Sequence, residues 1–235
     1  MIRASGITVP HGFGTRAEGD CGLGSGDPQA SANRAAAAHA VLSGASLASV
    51  YQVHSAEAVV AAAWPVEQRP HADALVTDRP GSLLGIVTAD CAPVLLADVD
   101  AHVIGAAHAG WKGALGGVTD ATIALMETLG ARRDRIVAAI GPCIAQPSYE
   151  VEAAFTDGFA AADALFFATG RAGHLHFDLA GYVAARLAAA GVGRVETMPH
   201  DTYRDEADFF SYRRSMHRGE AGYGRQMSLI GLPAA

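Results

Sequence analysis

Three short segments each carry one metal-capable side chain: Gln52-Val53-His54, Thr88-Ala89-Asp90-Cys91 and His108-Ala109-Gly110-Trp111. Two imidazoles and a thiolate suit zinc, and three protein donors leave the fourth tetrahedral position for water or substrate. An open metal position implies chemistry rather than scaffolding. The spacing itself is no signature: the donors are 37 and 17 residues apart, and neither Cys-x-x-Cys nor His-Glu-x-x-His occurs. By spacing alone each residue also fits an ordinary role, a hydrogen-bonded histidine or a small buried cysteine. Their setting favours a site. Cys91 lies between Asp90 and Pro93, where two apolar runs meet. His108 ends an apolar run and enters Ala109-Gly110-Trp111-Lys112-Gly113, whose glycines let backbone approach a ligand closely. Lys112 is the one lysine of the chain, so a cation beside His108 stands out.

The elements that must position these residues follow from hydrophobic patterning. Leu83–Val87, Pro93–Ala97 and His102–His108 read as buried strands, the last two antiparallel across an Asp98-Val99-Asp100-Ala101 turn. One or two strands are expected between Leu47 and Val60, around Gln52-Val53-His54. Residues 29–43 read as an Ala-rich helix, and Val118–Leu129 as an amphipathic helix ending at Gly130. Arg135–Ile140 reads as a strand and Val151–Ala162 as a helix. His174–Phe177 reads as a short strand, and Asp178 as the N-cap of a helix over Leu179–Ala190 that stops before Gly191. Further strands are expected near Arg194–Glu196 and Gln226–Ile230, while the Gly-rich stretch 12–27 reads as a mobile loop. Strands and helices mixed with hairpins predict an α+β or mixed α/β fold with a mixed sheet, in a single domain over residues 1–235.

Composition narrows the function classes. The chain has 235 residues, 50% of them hydrophobic and 17% charged, which is globular rather than disordered. A net charge of −7, with no basic cluster larger than Arg132-Arg133-x-Arg135 or Arg213-Arg214, argues against nucleic-acid binding. The N-terminus lacks a signal-peptide pattern and no apolar run reaches the ~20 residues that span a bilayer, so a soluble cytoplasmic protein is expected. Three cysteines, Cys21, Cys91 and Cys143, make a disulfide framework improbable and favour metal or catalytic thiols. The sequence does not fix an oligomeric state.

Eight ordered motifs then converge. They are His11-Gly12-Phe13-x-Thr15-Arg16, Gln52-Val53-His54, Ala72-Asp73-Ala74-Leu75-Val76-Thr77, Thr88-Ala89-Asp90-Cys91-x-Pro93-Val94, His108-Ala109-Gly110-Trp111-Lys112-Gly113, Ile140-Gly141-Pro142-Cys143-Ile144, Tyr149-Glu150-Val151 and Phe209-Phe210-Ser211-Tyr212-Arg213-Arg214. Together they resemble the bacterial laccase-domain family, whose members have been called polyphenol oxidases and purine nucleoside phosphorylases. The resemblance covers nearly the whole chain. It implies a four-layer α/β/β/α fold and a zinc ion on His54, Cys91 and His108, with Cu2+ as the alternative metal. It also implies phosphorolysis of adenosine, inosine, guanosine and methylthioadenosine, with hydrolytic deamination of adenosine alongside. Three features depart from the family pattern: Lys112 stands where Arg is usual, Asp201 stands where many relatives have Cys, and the loop after Arg16 is short. Exchanging Arg for Lys keeps the charge but loses bidentate recognition.

With that frame, Arg16, Lys112, Arg213 and Arg214 are the candidates to hold phosphate, and Tyr212, Phe209 and Phe210 to stack on a purine. Read without the family, the arginine pair is a solvated face and at least one aromatic fills the core. Asp90 is a candidate to move protons or to orient a ligand. Glu150 is expected to cap a helix start. Cys143 is placed near the site by the resemblance, yet reads equally as an inert buried thiol. His39, His71, His174, His176 and His217 are expected on the surface or in loops. Three other readings stay open. One is a metal-independent hydrolase with Cys91 as nucleophile and His108 as base. Another is a copper-dependent polyphenol oxidase (laccase), for which none of the five Met lies in a motif. The third is a non-catalytic partner protein.

Overall fold

The computed structural model describes residues 1–22 and 27–234. Along the chain these form β1 (His11–Phe13), α1 (Pro28–Val41), β2 (Ser46–Ser49), β3 (Ala58–Val60), β4 (Ala74–Thr77), β5 (Ser82–Thr88), β6 (Ala92–Asp98) and β7 (Val103–Ala109). Then come α2 (Trp111–Gly116), α3 (Val118–Thr128), β8 (Val137–Ile140), β9 (Glu150–Glu152), β10 (Phe167–Thr169), β11 (His174–Phe177) and α4 (Leu179–Ala189). The chain closes with β12 (Arg194–Thr197), α5 (Tyr212–Arg218) and β13 (Gln226–Leu232).

Two mixed sheets dominate, in the orders β1-β13-β5-β2 and β12-β8-β6-β7-β4-β3. A small third sheet has the order β10-β11-β9. β5 and β6 show why the large sheets stack. Their side chains alternate faces. Leu84 and Ile86 of β5 meet Leu95 and Ala97 of β6 in a core between the sheets. The opposite face of β5, Leu83 and Val87, packs with Ala37 and Ala38 of α1. The opposite face of β6, Val94 and Leu96, packs with Ile123 and Met126 of α3 and Val183 and Leu187 of α4. The order is therefore helix, sheet, sheet, helices, the four-layer α/β/β/α arrangement expected. Strands covered on both faces read as unbroken apolar runs, and β6 and β7 are buried throughout. A Cβ at Gly105 would lie 3.1 Å from Met126 Sδ and 3.2 Å from Thr122 Cγ2, so α3 lies directly on β7.

The antiparallel β6–β7 hairpin, the α3 and α4 boundaries and the Asp178 cap agree with the sequence reading. Other expectations are corrected. Residues 151–162 form no α-helix: β9 runs to Glu152, and two 3-10 segments cover Ala153–Gly158 and Ala161–Phe166. Phe155 and Phe159 have helical spacing, but both rings pack on Phe177, at 5.5 and 5.2 Å between centroids, and this tertiary cluster overrides the local pattern. Glu150 opens β9 and pairs with Arg171 rather than capping a helix. Gln52-Val53-His54 is not in a strand; it lies in the connection between β2 and β3. The stretch 12–27 includes the end of β1 and a 3-10 turn at Arg16–Glu18, while residues 23–26 of it lie outside the described residues. β4, α2 and α5 were not foreseen. Among the described residues no helix is long and apolar enough to cross a membrane.

Candidate metal centre and cleft

Three elements bring the donors together. His54 sits in the β2–β3 connection, Cys91 in the turn from β5 to β6, and His108 near the end of β7. Cys91 Sγ lies 3.8 Å from His54 Nε2, and the three potential donor atoms lie within 4.8 Å of one another. Metal–sulfur and metal–nitrogen bonds of ~2.3 and ~2.0 Å at tetrahedral angles place donors roughly 3.3–3.6 Å apart, so small side-chain shifts suffice to close on an ion. The imidazole rings stand edge to face, with centroids 4.8 Å apart and an interplanar angle of 77°. Gly110 makes room: a Cβ there would lie 2.9 Å from Cys91 Sγ and 3.0 Å from His54 Cδ2. Two non-glycine residues at the site hold left-handed backbone, His54 (φ 61°) and Asp90 (φ 84°). Such strain persists only where surrounding bonds impose it.

Asp73, fully buried, imposes it at His54. Its carboxylate accepts from the amides of Val53 (3.2 Å), His54 (3.0 Å) and Ser55 (2.6 Å), and from the Ser55 hydroxyl (2.8 Å). It also accepts from His108 Nδ1 at 2.7 Å. A carboxylate only accepts, so Nδ1 carries the proton and Nε2 is the nitrogen left for an ion. One residue thus fixes two of the three donors. Gln52 ties the same connection to β5, donating to the Val87 carbonyl (2.7 Å) and accepting from its amide (2.9 Å).

Electrostatics favour a thiolate at Cys91, and an ion would take the place of the proton on His108 Nε2. Burial pushes the Cys91 thiol up, but His108 and His54 outweigh it and bring its pKa down to about 6. Burial works against charge on His108 too, yet Cys91 and Asp73 raise its pKa to about 9. Asp73 is lowered to about 2 because its bonds to His108 and Ser55 outweigh burial. Metal binding needs a deprotonated thiol, and this environment supplies it. The other two thiols differ: burial and the neighbouring Asp20 push Cys21 to about 11, and burial drives Cys143 higher still.

The trio opens into a cleft of about 480 Å³ whose walls include Tyr51, Tyr212, Tyr223, Arg69 and Arg225. That volume lies within the usual range for small-molecule sites. Of the further residues proposed from sequence, only Tyr212 lines it. Asp90 points its carboxylate away, accepting from Thr202 Oγ1 (2.7 Å), Ser211 Oγ (3.0 Å) and the Arg213 amide (2.6 Å). It therefore anchors the segment that carries Tyr212. Lys112 is exposed on α2, its Nζ 5.5 Å from the Trp111 ring centroid. Arg16 lies over Phe210, 4.5 Å from the ring centroid, and donates to the Phe209 carbonyl. Arg213 donates to the Glu150 carbonyl and lies over Tyr149. Arg214 is buried, not solvated, because its guanidinium donates to the carbonyls of Thr202, Tyr203 and Phe209. Phe209 is fully buried beside it. Asp201, the departure from the family pattern, accepts from Ser148 Oγ (2.6 Å) and from the Ala145 and Tyr203 amides, which is a structural duty.

Residues 3–233 match the family described as multi-copper polyphenol oxidoreductase laccase. The chain belongs to that family. A Deinococcus radiodurans protein named purine nucleoside phosphorylase is 44% identical, covering 99% of this chain and 93% of that protein. The purine nucleoside phosphorylase ORF3 of Streptomyces griseus is 42% identical, covering 84% of this chain and 82% of its own length. Among solved structures, YfiH of Bacillus licheniformis superposes with a TM-score of 0.84 at 27% identity, over 94% of this chain and 92% of that one. A Neisseria meningitidis protein superposes with a TM-score of 0.79 at 31% identity, over 97% and 93%.

The family resemblance read from the motifs is borne out. What sequence reasoning missed is the role of Asp73, although its motif was in view, and the cleft residues Tyr51, Arg69, Tyr223 and Arg225. Asp73 carried a usable signal: a carboxylate between Ala72 and Ala74 at the head of an apolar run must be paired.

Proposed function

We propose that this chain is a zinc-dependent purine nucleoside phosphorylase. Its substrates are adenosine, inosine, guanosine and methylthioadenosine, and it deaminates adenosine as a side activity. One observation carries the reading: the His54–Cys91–His108 trio opens directly into an aromatic-walled cleft of about 480 Å³. The names of the Deinococcus and Streptomyces relatives support it. In phosphorolysis a phosphate oxygen bonds to the sugar C1′ as the C1′–N9 bond breaks. The electron pair leaves on the purine, which takes up a proton. In deamination the oxygen of water bonds to C6 and ammonia leaves. Zinc held by the trio supplies Lewis acidity at this end of the cleft. Asp73 keeps His54 and His108 in place for it. The rings of Tyr51 and Tyr212 flank the base, and Asp90 holds the Tyr212 segment. Elemental analysis of purified protein, coupled to an assay for ribose 1-phosphate from adenosine and phosphate, tests the reading. Stoichiometric zinc and chelator-sensitive product are expected; product formation untouched by complete metal removal would sink it.

A second reading has one observation in its favour. Cys91, with its thiol pKa near 6, lies beside His108, the pairing of a cysteine hydrolase. Such an enzyme keeps its activity in chelator and loses it to a thiol alkylator. The family description also names copper, and the same elemental analysis discriminates; among the described residues no methionine lines the cleft to act as a blue-copper axial ligand.

A further inference from the structure

The four cations offered by the motifs stand away from the cleft, and two others stand in it. Arg225 precedes β13 and lines the cleft together with the metal trio. Its Nη2 donates to the Tyr223 hydroxyl at 2.7 Å, and Tyr223 packs on Tyr212 at 5.0 Å between centroids. Its backbone is pinned as well: the amide donates to Asp20 Oδ1 and the carbonyl accepts from the Cys21 amide, each at 2.8 Å. Arg69 lines the same cleft, with its guanidinium carbon 6.0 Å from the Tyr51 ring centroid.

A third guanidinium backs them. Arg34 of α1 donates through Nη1 to the Gly22 carbonyl. A Cβ on Gly22 would lie 3.2 Å from Asp20 Oδ1 and 3.5 Å from Arg225 Nη1, so Arg34, Arg225 and the Asp20 carboxylate gather around one glycine. Arg69 is half-buried, and after burial itself the charge of Arg34 is the largest influence lowering its pKa. The Asp20 carboxylate beside Arg34 and Arg225 is engaged by backbone, its Oδ1 accepting from the Gly22 and Arg225 amides at 2.8 Å each. Arg225 and Arg69 bring two guanidinium groups to the wall of the cleft, where an anion meets complementary charge. The arginine fork matches phosphate oxygens in pairs, which a lysine does not do.

We infer that Arg225 and Arg69, backed by Arg34, form a phosphate-binding end of the cleft opposite in charge to its thiolate end. The inference rests on the phosphorylase reading for its cosubstrate, but the anion site can be tested apart from it. The ligand chemistry is a phosphate dianion, either free inorganic phosphate or the ester phosphate of a purine nucleoside 5′-monophosphate.

Titration calorimetry of the metal-loaded protein with each of these two probes, beside steady-state kinetics with adenosine and phosphate, decides the matter. Arg225→Ala is expected to weaken binding of the preferred probe roughly 10–100-fold, the scale of hydrogen bonds to a charged group. Arg69→Ala is expected to act in the same direction. Arg225→Lys should restore part of the loss, which a merely structural role would not predict. KM for phosphate should rise clearly more than KM for adenosine, and zinc content should stay put. Tighter binding of inorganic phosphate marks a cosubstrate pocket, and tighter binding of the monophosphate marks a nucleotide reader; both support the site. Probe affinity indifferent to Arg225 and Arg69 overturns it, as does an equal rise in both KM values. Arg225-dependent phosphate binding without any phosphorolysis keeps the site and removes the phosphorylase reading. Phosphorolysis with phosphate KM and the affinity for both probes unchanged in both alanine variants does the reverse.

Discussion

The thiolate end of the cleft and the Phe209–Arg214 segment are both dense in polar side chains, yet they differ in what those side chains have left to offer. In the segment, the Arg214 guanidinium donates to three carbonyls, and the Ser211 hydroxyl donates to Asp90 and accepts from the Arg214 amide. Arg214 and Ser211 are thereby spent on the fold, and of this segment the Tyr212 side chain lines the cleft. At the trio, Asp73 absorbs the His54 amide and His108 Nδ1, leaving the Nε2 atoms and Cys91 Sγ facing one another. Saturation marks scaffolding, and donors left over after saturation mark a site.

The most direct way to break this contrast is to remove a leftover donor. His54→Ala, Cys91→Ala and His108→Ala should each abolish bound zinc by elemental analysis and nucleoside phosphorolysis with it; an active Cys91→Ala protein would undo the zinc mechanism. Asp73→Asn is the next largest change. It keeps the shape but removes the charge that holds His108, and should lower metal affinity roughly 10–100-fold in a competition titration with a chelator. The thiol itself sharpens the comparison. In metal-stripped protein, alkylation of Cys91 should slow about tenfold between about pH 7 and about pH 5, because the thiolate is lost as pH falls through a pKa of about 6. Mass spectrometry should find Cys21 and Cys143 far less modified, since their pKa values are raised. Equal modification of all three thiols would contradict the charge arrangement. The smallest effect is expected at Lys112→Ala: zinc content, and KM for phosphate to within about twofold, should not change, since the side chain is solvated on α2. A tenfold rise in phosphate KM would return Lys112 to the site.

These particulars show where the sequence was legible. β5, β6 and β7 were readable because burial on both faces writes unbroken apolar runs, and the α4 cap was readable because Asp178 and Gly191 bracket it. The 151–162 region misled because Phe155 and Phe159 copy a helical period for a different purpose, the aromatic cluster around Phe177. Cys91 and His108 were visible at the ends of apolar runs. The anchoring by Asp73 was not, because it joins Ser55 to His108 through space, and no local window contains both. The surroundings of the arginines were hidden for a related reason: a sequence lists guanidinium groups but not the carbonyls and rings they meet.

The same separation bears on how an ion arrives. The β6–β7 hairpin, local in the chain, pairs Pro93 with His108 and so brings Cys91 and His108 to one of its ends, whereas His54 comes from a distant connection. The third donor joins the other two where Asp73 ties the β2–β3 connection to His108. A complete three-donor set is therefore a property of the assembled fold, and the hairpin alone offers two of its members.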